Sequence, residues 1–217
     1  MNFPSFKKIP RFNREVIITE KIDGTNGLIS IERHPFAAAL KDTPTGFLKD
    51  VPYALVMGGP VGIDGLPEFE FHVRAGSRNR WLTPGKETDN FGFAAWVYAN
   101  AEDLVRLGPG LHYGEWYGQG IQRGYGLTEK RFALFNADKW AGIELPSGVD
   151  VVPVLRRTNA ARVNDSAAEA LEDLTELGSV LVPGFMRPEG VIIYHTAAQA
   201  YFKVLLESDD RPKGLAA

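Results

Sequence analysis

Glu20-Lys21-Ile22-Asp23-Gly24-Thr25-Asn26 holds the residue best placed to act as a nucleophile. Val16-Ile17-Ile18 reads as a buried strand, and Asp23-Gly24 is a turn signal, so Lys21 falls where a strand ends and a pocket can begin. A lysine amine can attack an electrophile and hold it covalently once its proton is lost. Alone, Lys-x-Asp-Gly can equally be a strand-end lysine beside a hairpin turn.

Four further clusters carry chemistry. Arg74-Ala75-Gly76-Ser77-Arg78-Asn79-Arg80 follows an expected strand, and guanidinium forks suit phosphate oxygens. In Leu111-His112-Tyr113-Gly114-Glu115-Trp116-Tyr117-Gly118, a lone glutamate interrupts an apolar, aromatic strand. Facing a pocket, Glu115 can accept a hydroxyl hydrogen bond, whereas facing the core it is costly. The alternating strand Arg131-Phe132-Ala133-Leu134-Phe135-Asn136 ends near Phe135, a ring that can pack in the core or take a stacked base. Last, Glu189 opens the run Gly190-Val191-Ile192-Ile193-Tyr194, and Lys203 lies inside Tyr201-Phe202-Lys203-Val204-Leu205. Both are expensive to bury without a partner, and paired strands would bring them to one pocket. A carboxylate there can hold a divalent cation, and a second lysine a phosphate.

These clusters need strands to carry them. Strands are expected at 15–20, 27–33, 53–57, 69–75, 111–117, 131–136, 149–154, 189–195 and 200–206, with Thr196-Ala197-Ala198-Gln199 turning the last two into a hairpin. One helix is expected from Asp89 through Val97, with a short continuation capped by Asn100 and ended by Gly108. Another comes after Asn164-Asp165-Ser166. There Ser166 and Glu169 form a capping box, Ala170, Leu171, Leu174 and Leu177 an apolar face, and Gly178 a stop. Gly58-Gly59-Pro60 reads as a turn, and no P-loop is present. Many strands with few helices indicate an α+β protein built on antiparallel sheets.

Composition sets limits. The 217 residues are 44% hydrophobic and 24% charged, which fits one large domain or a two-lobed one. Net charge is −3, too low for a broad basic nucleic-acid surface, so positive charge must act locally. Lys7, Lys8, Arg11 and Arg14 load the N-terminus, and Arg123, Lys130 and Arg131 form another group. With no cysteine, thiolate metal sites, disulfides and cysteine nucleophiles are excluded. His34, His72, His112 and His195 lie far apart, with no metal-ligand spacing. No signal peptide or membrane-spanning run is read, so a cytoplasmic location is expected.

In this order the five clusters resemble the covalent nucleotidyltransferase superfamily of ATP-dependent ligases and mRNA capping enzymes, from about Glu15 to Glu207. Thr25-Asn26 leans toward ATP-dependent RNA ligases, in the branch of the phage-type double-strand nick-sealing enzymes. The resemblance implies antiparallel sheets flanked by helices, with a nucleotide pocket between them. It implies ATP, Mg2+ or Mn2+, and an RNA ligase joining 5′-phosphate to 3′-hydroxyl ends through lysyl-AMP. Lys21 would take AMP, Glu20 and Asn26 would help position the nucleotide, and Arg78 would meet a phosphate or the RNA end. Glu115 would bind the ribose, Phe135 would stack on adenine, Glu189 would serve the metal and Lys203 the α-phosphate. Asp23 and Gly24 support the lysine motif.

The likeness has departures. One lysine, Lys203, stands where two are common, with Tyr201 and Leu205 at the flanking positions and Lys213 further on. Asn136 stands where an acid is common. Residues 1–217 are expected to form one catalytic domain without an oligonucleotide-binding fold or large C-terminal domain. A DNA ligase or guanylyltransferase, and a noncatalytic binding module of the same fold, are the alternatives. RNA ends, and an end-healing or end-recognition protein, are the expected partners.

Overall fold

The computed structural model describes residues 6, 8–36, 51–61 and 67–207; Lys7 and Lys213 lie outside them. In chain order the elements are β1 (Glu15–Lys21), β2 (Thr25–Pro35), β3 (Ala54–Val61), β4 (Pro67–Gly76) and β5 (Trp81–Leu82). Next come α1 (Phe93–Ala99), α2 (Ala101–Leu104), β6 (Gly110–Gly118), β7 (Lys130–Leu134) and α3 (Ala137–Trp140). The chain closes with β8 (Val149–Val151), β9 (Val154–Asn159), α4 (Val163–Leu177), β10 (Gly190–His195) and β11 (Ala200–Leu205). The class is α+β. Contacts divide the chain into one unit of Met1–Asp23 with Val152–Ala217, and a second of Gly24–Val151.

The first unit holds a four-stranded antiparallel sheet in the order β11-β10-β1-β9. Opposed residues of an antiparallel pair share a face. Val16, Ile18 and Val191 therefore face α4, where Ala167, Ala170 and Leu174 close the core. Burying a leucine such as Leu174 stabilises by about 1.5–3 kcal/mol. Ile17, Thr19, Lys21, Ile192 and Lys203 fall on the other face.

The helix α4 departs from its expected start. It begins at Val163, so Ser166 sits in its first turns and donates from Oγ to Thr158 Oγ1 at 3.0 Å in place of capping. The neighbouring strand offers that hydroxyl a better partner than the helix end does. Leu177 is exposed and adds nothing to the apolar face, while Gly178 stops the helix at φ +82°. The strand expected at 149–154 is broken: Val152 and Pro153 separate β8 from β9, and β9 runs on to Asn159.

The second unit holds a seven-stranded sheet in the order β3-β4-β2-β6-β7-β8, with β5 on β4. All its pairs are antiparallel except β7–β8. Ile29, Ile31, Val73, Ala75, Trp116, Phe132 and Leu134 face Phe93, Ala94 and Val97 of α1. Asp89 fixes the start of α1, its carboxylate accepting from Ala94 N at 2.7 Å and Ala95 N at 3.0 Å. Asn100 donates back to Trp96 O and does not cap α2. Gly58-Gly59-Pro60 is not a turn but an irregular stretch of β3, over which the Phe69 ring lies. Among the described residues no helix is long and apolar enough to cross a membrane.

Candidate active site

Lys21 ends β1, and its Nζ donates to Glu189 Oε2 at 2.5 Å. The two lie 168 positions apart and meet because β1 and β10 pair with Lys21 opposite Gly190. Strict alternation would turn Glu189 to the face opposite Lys21. The pleat breaks at Gly190, whose φ is +150° and whose added Cβ would sit 2.2 Å from Val204 O. Only glycine fits there. The two side chains are 18% and 10% exposed, so this ammonium–carboxylate pair is mostly shielded yet open to small reactants.

Glu20 points the other way. It is buried, and its carboxylate accepts from Ser179 Oγ at 2.6 Å, Val180 N at 2.9 Å and Leu181 N at 3.0 Å. Burial pushes its pKa up, against the downward pull of the Ser179 hydroxyl and the two amides. In this structure the Glu20 side chain bonds the loop after α4 and is not turned toward Lys21. Its side chain locks the end of β1 to the loop after α4, and so orients Lys21 from behind.

Lys203 is exposed on β11 and opposes Ile192, while Glu189 pairs with Lys21. Strand pairing does put Lys203 on the face of the sheet that carries Lys21.

The remaining expected residues are in the second unit. Asn26 of β2 stands opposite Glu115 of β6, so both project from the face turned away from the Phe93 core. Phe135 comes directly after β7, its N–H bonds Tyr113 O at 3.0 Å, and the alternation puts it on the same side as Ala133 and Glu115. Its ring is 38% exposed. Gly24 passes so close to β6 that a Cβ would sit 2.4 Å from Trp116 O and 2.9 Å from Glu115 Cγ. Arg78 is exposed in the tight turn between β4 and β5, where Ser77 N bonds Arg80 O. Arg74 of the same cluster is buried and engages Glu32, not a phosphate. Asp23 lies between β1 and β2 and has a partner of its own.

Sequence reasoning missed two supports. One is the Ser179–Leu181 cage around Glu20. The other is Asp150, which takes Arg131 Nε and Nη2 at 2.7 and 2.8 Å and the Tyr117 hydroxyl at 2.8 Å. It ties β6, β7 and β8 together beside Glu115. Neither leaves a local pattern in the chain.

The donors around Lys21 fit a hard divalent cation. Glu189 offers a carboxylate, and the chain has no thiolate to favour a softer metal. An α+β protein with a shielded strand-end lysine paired to a carboxylate fits the ligase class. A family model described as RNA ligase matches residues 14–205, and the chain belongs to the RNA ligase family. No curated protein matches. Among solved structures the chain is similar to a Naegleria gruberi RNA ligase mutant with ATP and Mn, at 14% identity and a TM-score of 0.46, covering 88% of this chain and 48% of that one. It is similar also to an apo mutant of a Naegleria gruberi RNA ligase, at 17% identity and a TM-score of 0.45, covering 88% and 49%. The chain thus spans about half the length of those proteins.

Proposed function

We propose that this chain is an ATP-dependent RNA ligase that joins 5′-phosphate and 3′-hydroxyl ends through a lysyl-AMP intermediate. The observation that carries the reading is the Lys21–Glu189 pair at the end of β1, in a chain of the RNA ligase family. Lys21 Nζ opens its pair with Glu189, loses a proton and attacks the α-phosphorus of ATP. The N–P bond forms, the bond to the β-phosphate oxygen breaks, and pyrophosphate leaves. AMP passes next to the RNA 5′-phosphate, and the 3′-hydroxyl displaces it to close the phosphodiester. The protein's part is alignment and charge neutralisation, as in other phosphoryl transfers.

Each residue has a task in this reading. Glu115 accepts from a ribose hydroxyl, Phe135 stacks on adenine, and Asn26 positions the nucleoside beside them. Arg78 is exposed and takes a phosphate of ATP or of the RNA end. Lys203, on the face of Lys21, takes the α-phosphate. Glu189 holds Mg2+ or Mn2+, which screens phosphate charge. Residues 1–217 then supply the adenylyltransferase part of the reaction.

The test is incubation with α-labelled ATP and Mg2+ or Mn2+, then denaturing electrophoresis. Label on the native chain and none on Lys21→Ala is expected. Equal label on both would end the assignment. Nicked duplex and single-stranded RNA, offered to the labelled protein, then read which ends it joins.

A further inference from the structure

The second unit carries a cluster that the ligase reading does not use. Glu32 and His34 on β2 face His72 and Glu70 on β4, because the register pairs Glu32 with His72 and His34 with Glu70. The four side chains share one face of the sheet. Ligand atoms of Glu32, His34 and His72 lie within 4.8 Å of one another, the one such group among the described residues. The His34 and His72 rings are 4.3 Å apart, and Tyr53 stacks on His72 at 3.8 Å, which limits the tilt of that imidazole. His72 Nε2 lies 2.7 Å from Glu70 Oε1, whose side chain is 3% exposed. Asn26 is six residues before Glu32 on the same face of the same strand, about 20 Å away at a strand's rise per residue.

We propose that Glu32, His34 and His72 form a binding site for a first-row divalent transition metal of the zinc type, clipping β2 to β4. Two imidazoles and one carboxylate suit Zn2+ and its neighbours, whereas Mg2+ prefers oxygen ligands alone. Three protein ligands leave a fourth position for water. Arg74 binds one Glu32 oxygen, Oε2, at 2.9 Å. His34 Nε2 lies 3.3 Å from that same oxygen, and a metal there would take the place of this contact. Glu32, Glu70 and Arg74 sum to one negative charge, so a dication is electrostatically welcome. Glu70 on His72 matches the carboxylate that commonly orients a ligating histidine. Glu189 belongs to the other unit.

The untagged full chain, stripped of metal, would be titrated with Co2+ and then Zn2+ under excess Mg2+, which fills oxygen-only sites. One equivalent of Co2+ is expected, with visible bands of a low-coordinate histidine site, displaced by Zn2+. Zn2+ would also raise the unfolding temperature, by mass action on the folded state. His34→Ala, at a part-exposed position, should fold normally by circular dichroism and bind Co2+ more than about tenfold weaker. Glu32→Gln should likewise weaken Co2+ binding, with a lower unfolding temperature because buried Arg74 loses its carboxylate partner. No binding by the native chain, or unchanged stoichiometry and bands in both variants, overturns the site. The readout does not depend on adenylylation, so failure of the ligase reading would leave it intact.

Discussion

Lys21 and Glu189 form an ion pair at 2.5 Å across two strands that the sequence sets 168 positions apart. The pair joins the end of one strand to the residue before another, and Gly190 makes the approach geometrically permissible. The pair holds the Lys21 amine in place.

Glu189→Gln should keep the volume and lose the charge. In the proposed reaction the carboxylate would hold the metal against the phosphates, and an interaction with a charged group is worth about 1.5–3 kcal/mol, or roughly ten- to a hundredfold in rate when it is made in the transition state. Lysyl-AMP formation should slow by about that factor while the fold stays intact by circular dichroism. Single-turnover labelling checks this, and an unchanged rate would remove Glu189 from the chemistry.

Glu20→Ala strips the partner from Ser179 Oγ and from the amides of Val180 and Leu181. Buried unsatisfied donors cost about 1–3 kcal/mol each. The unfolding temperature should fall clearly, and labelling of Lys21 should weaken through its misplaced strand end. Denaturant unfolding with a parallel labelling assay separates the two effects.

Phe135→Leu keeps an apolar side chain and loses the ring. Stacking of a base on an aromatic side chain is worth about 1–3 kcal/mol. The concentration of ATP for half-maximal labelling should rise by roughly tenfold or more, with little change in stability because the ring is partly exposed. An unchanged ATP dependence would place adenine elsewhere.

Gly190→Ala puts a Cβ against Val204 O at a backbone conformation that L-residues avoid. Such strain costs about 1–3 kcal/mol before the clash is counted. The variant should unfold at lower denaturant and lose labelling, since the backbone conformation that brings Glu189 to Lys21 is one that only glycine takes without strain.

His112 gives a pH dependence. Burial holds its pKa below the ordinary value and Lys139 adds to that, while the bond to Gly108 O opposes it. The folded ring is therefore the weaker base, and the unfolded chain binds the extra proton near pH 6.5. Stability should fall as pH drops from about 7 toward 5, with a slope of at most about 1.4 kcal/mol per pH unit from this group. His112→Asn should flatten the curve in that window. Thermal unfolding at several pH values measures it.

The sequence by itself determined the strand-forming runs, the helix around Val97 and the α+β class. It also marked Glu115, Glu189 and Lys203 as charges costly to bury in apolar strands, and Lys21 as a candidate nucleophile. Those features are local: β-branched runs, turn dipeptides and lone charges in apolar segments carry their own signal. The tertiary structure alone decided who meets whom. Tertiary packing gave Glu20 its partner Ser179, left Lys203 exposed, and gave Glu189 to Lys21. It moved Ser166 from a helix cap to a bond with Thr158. It also brought His34 and His72 together across β2 and β4, although no sequence spacing links them. The Lys21–Glu189 and His34–His72 meetings rest on pairing between strands, and a one-residue slip in register would reverse the faces involved.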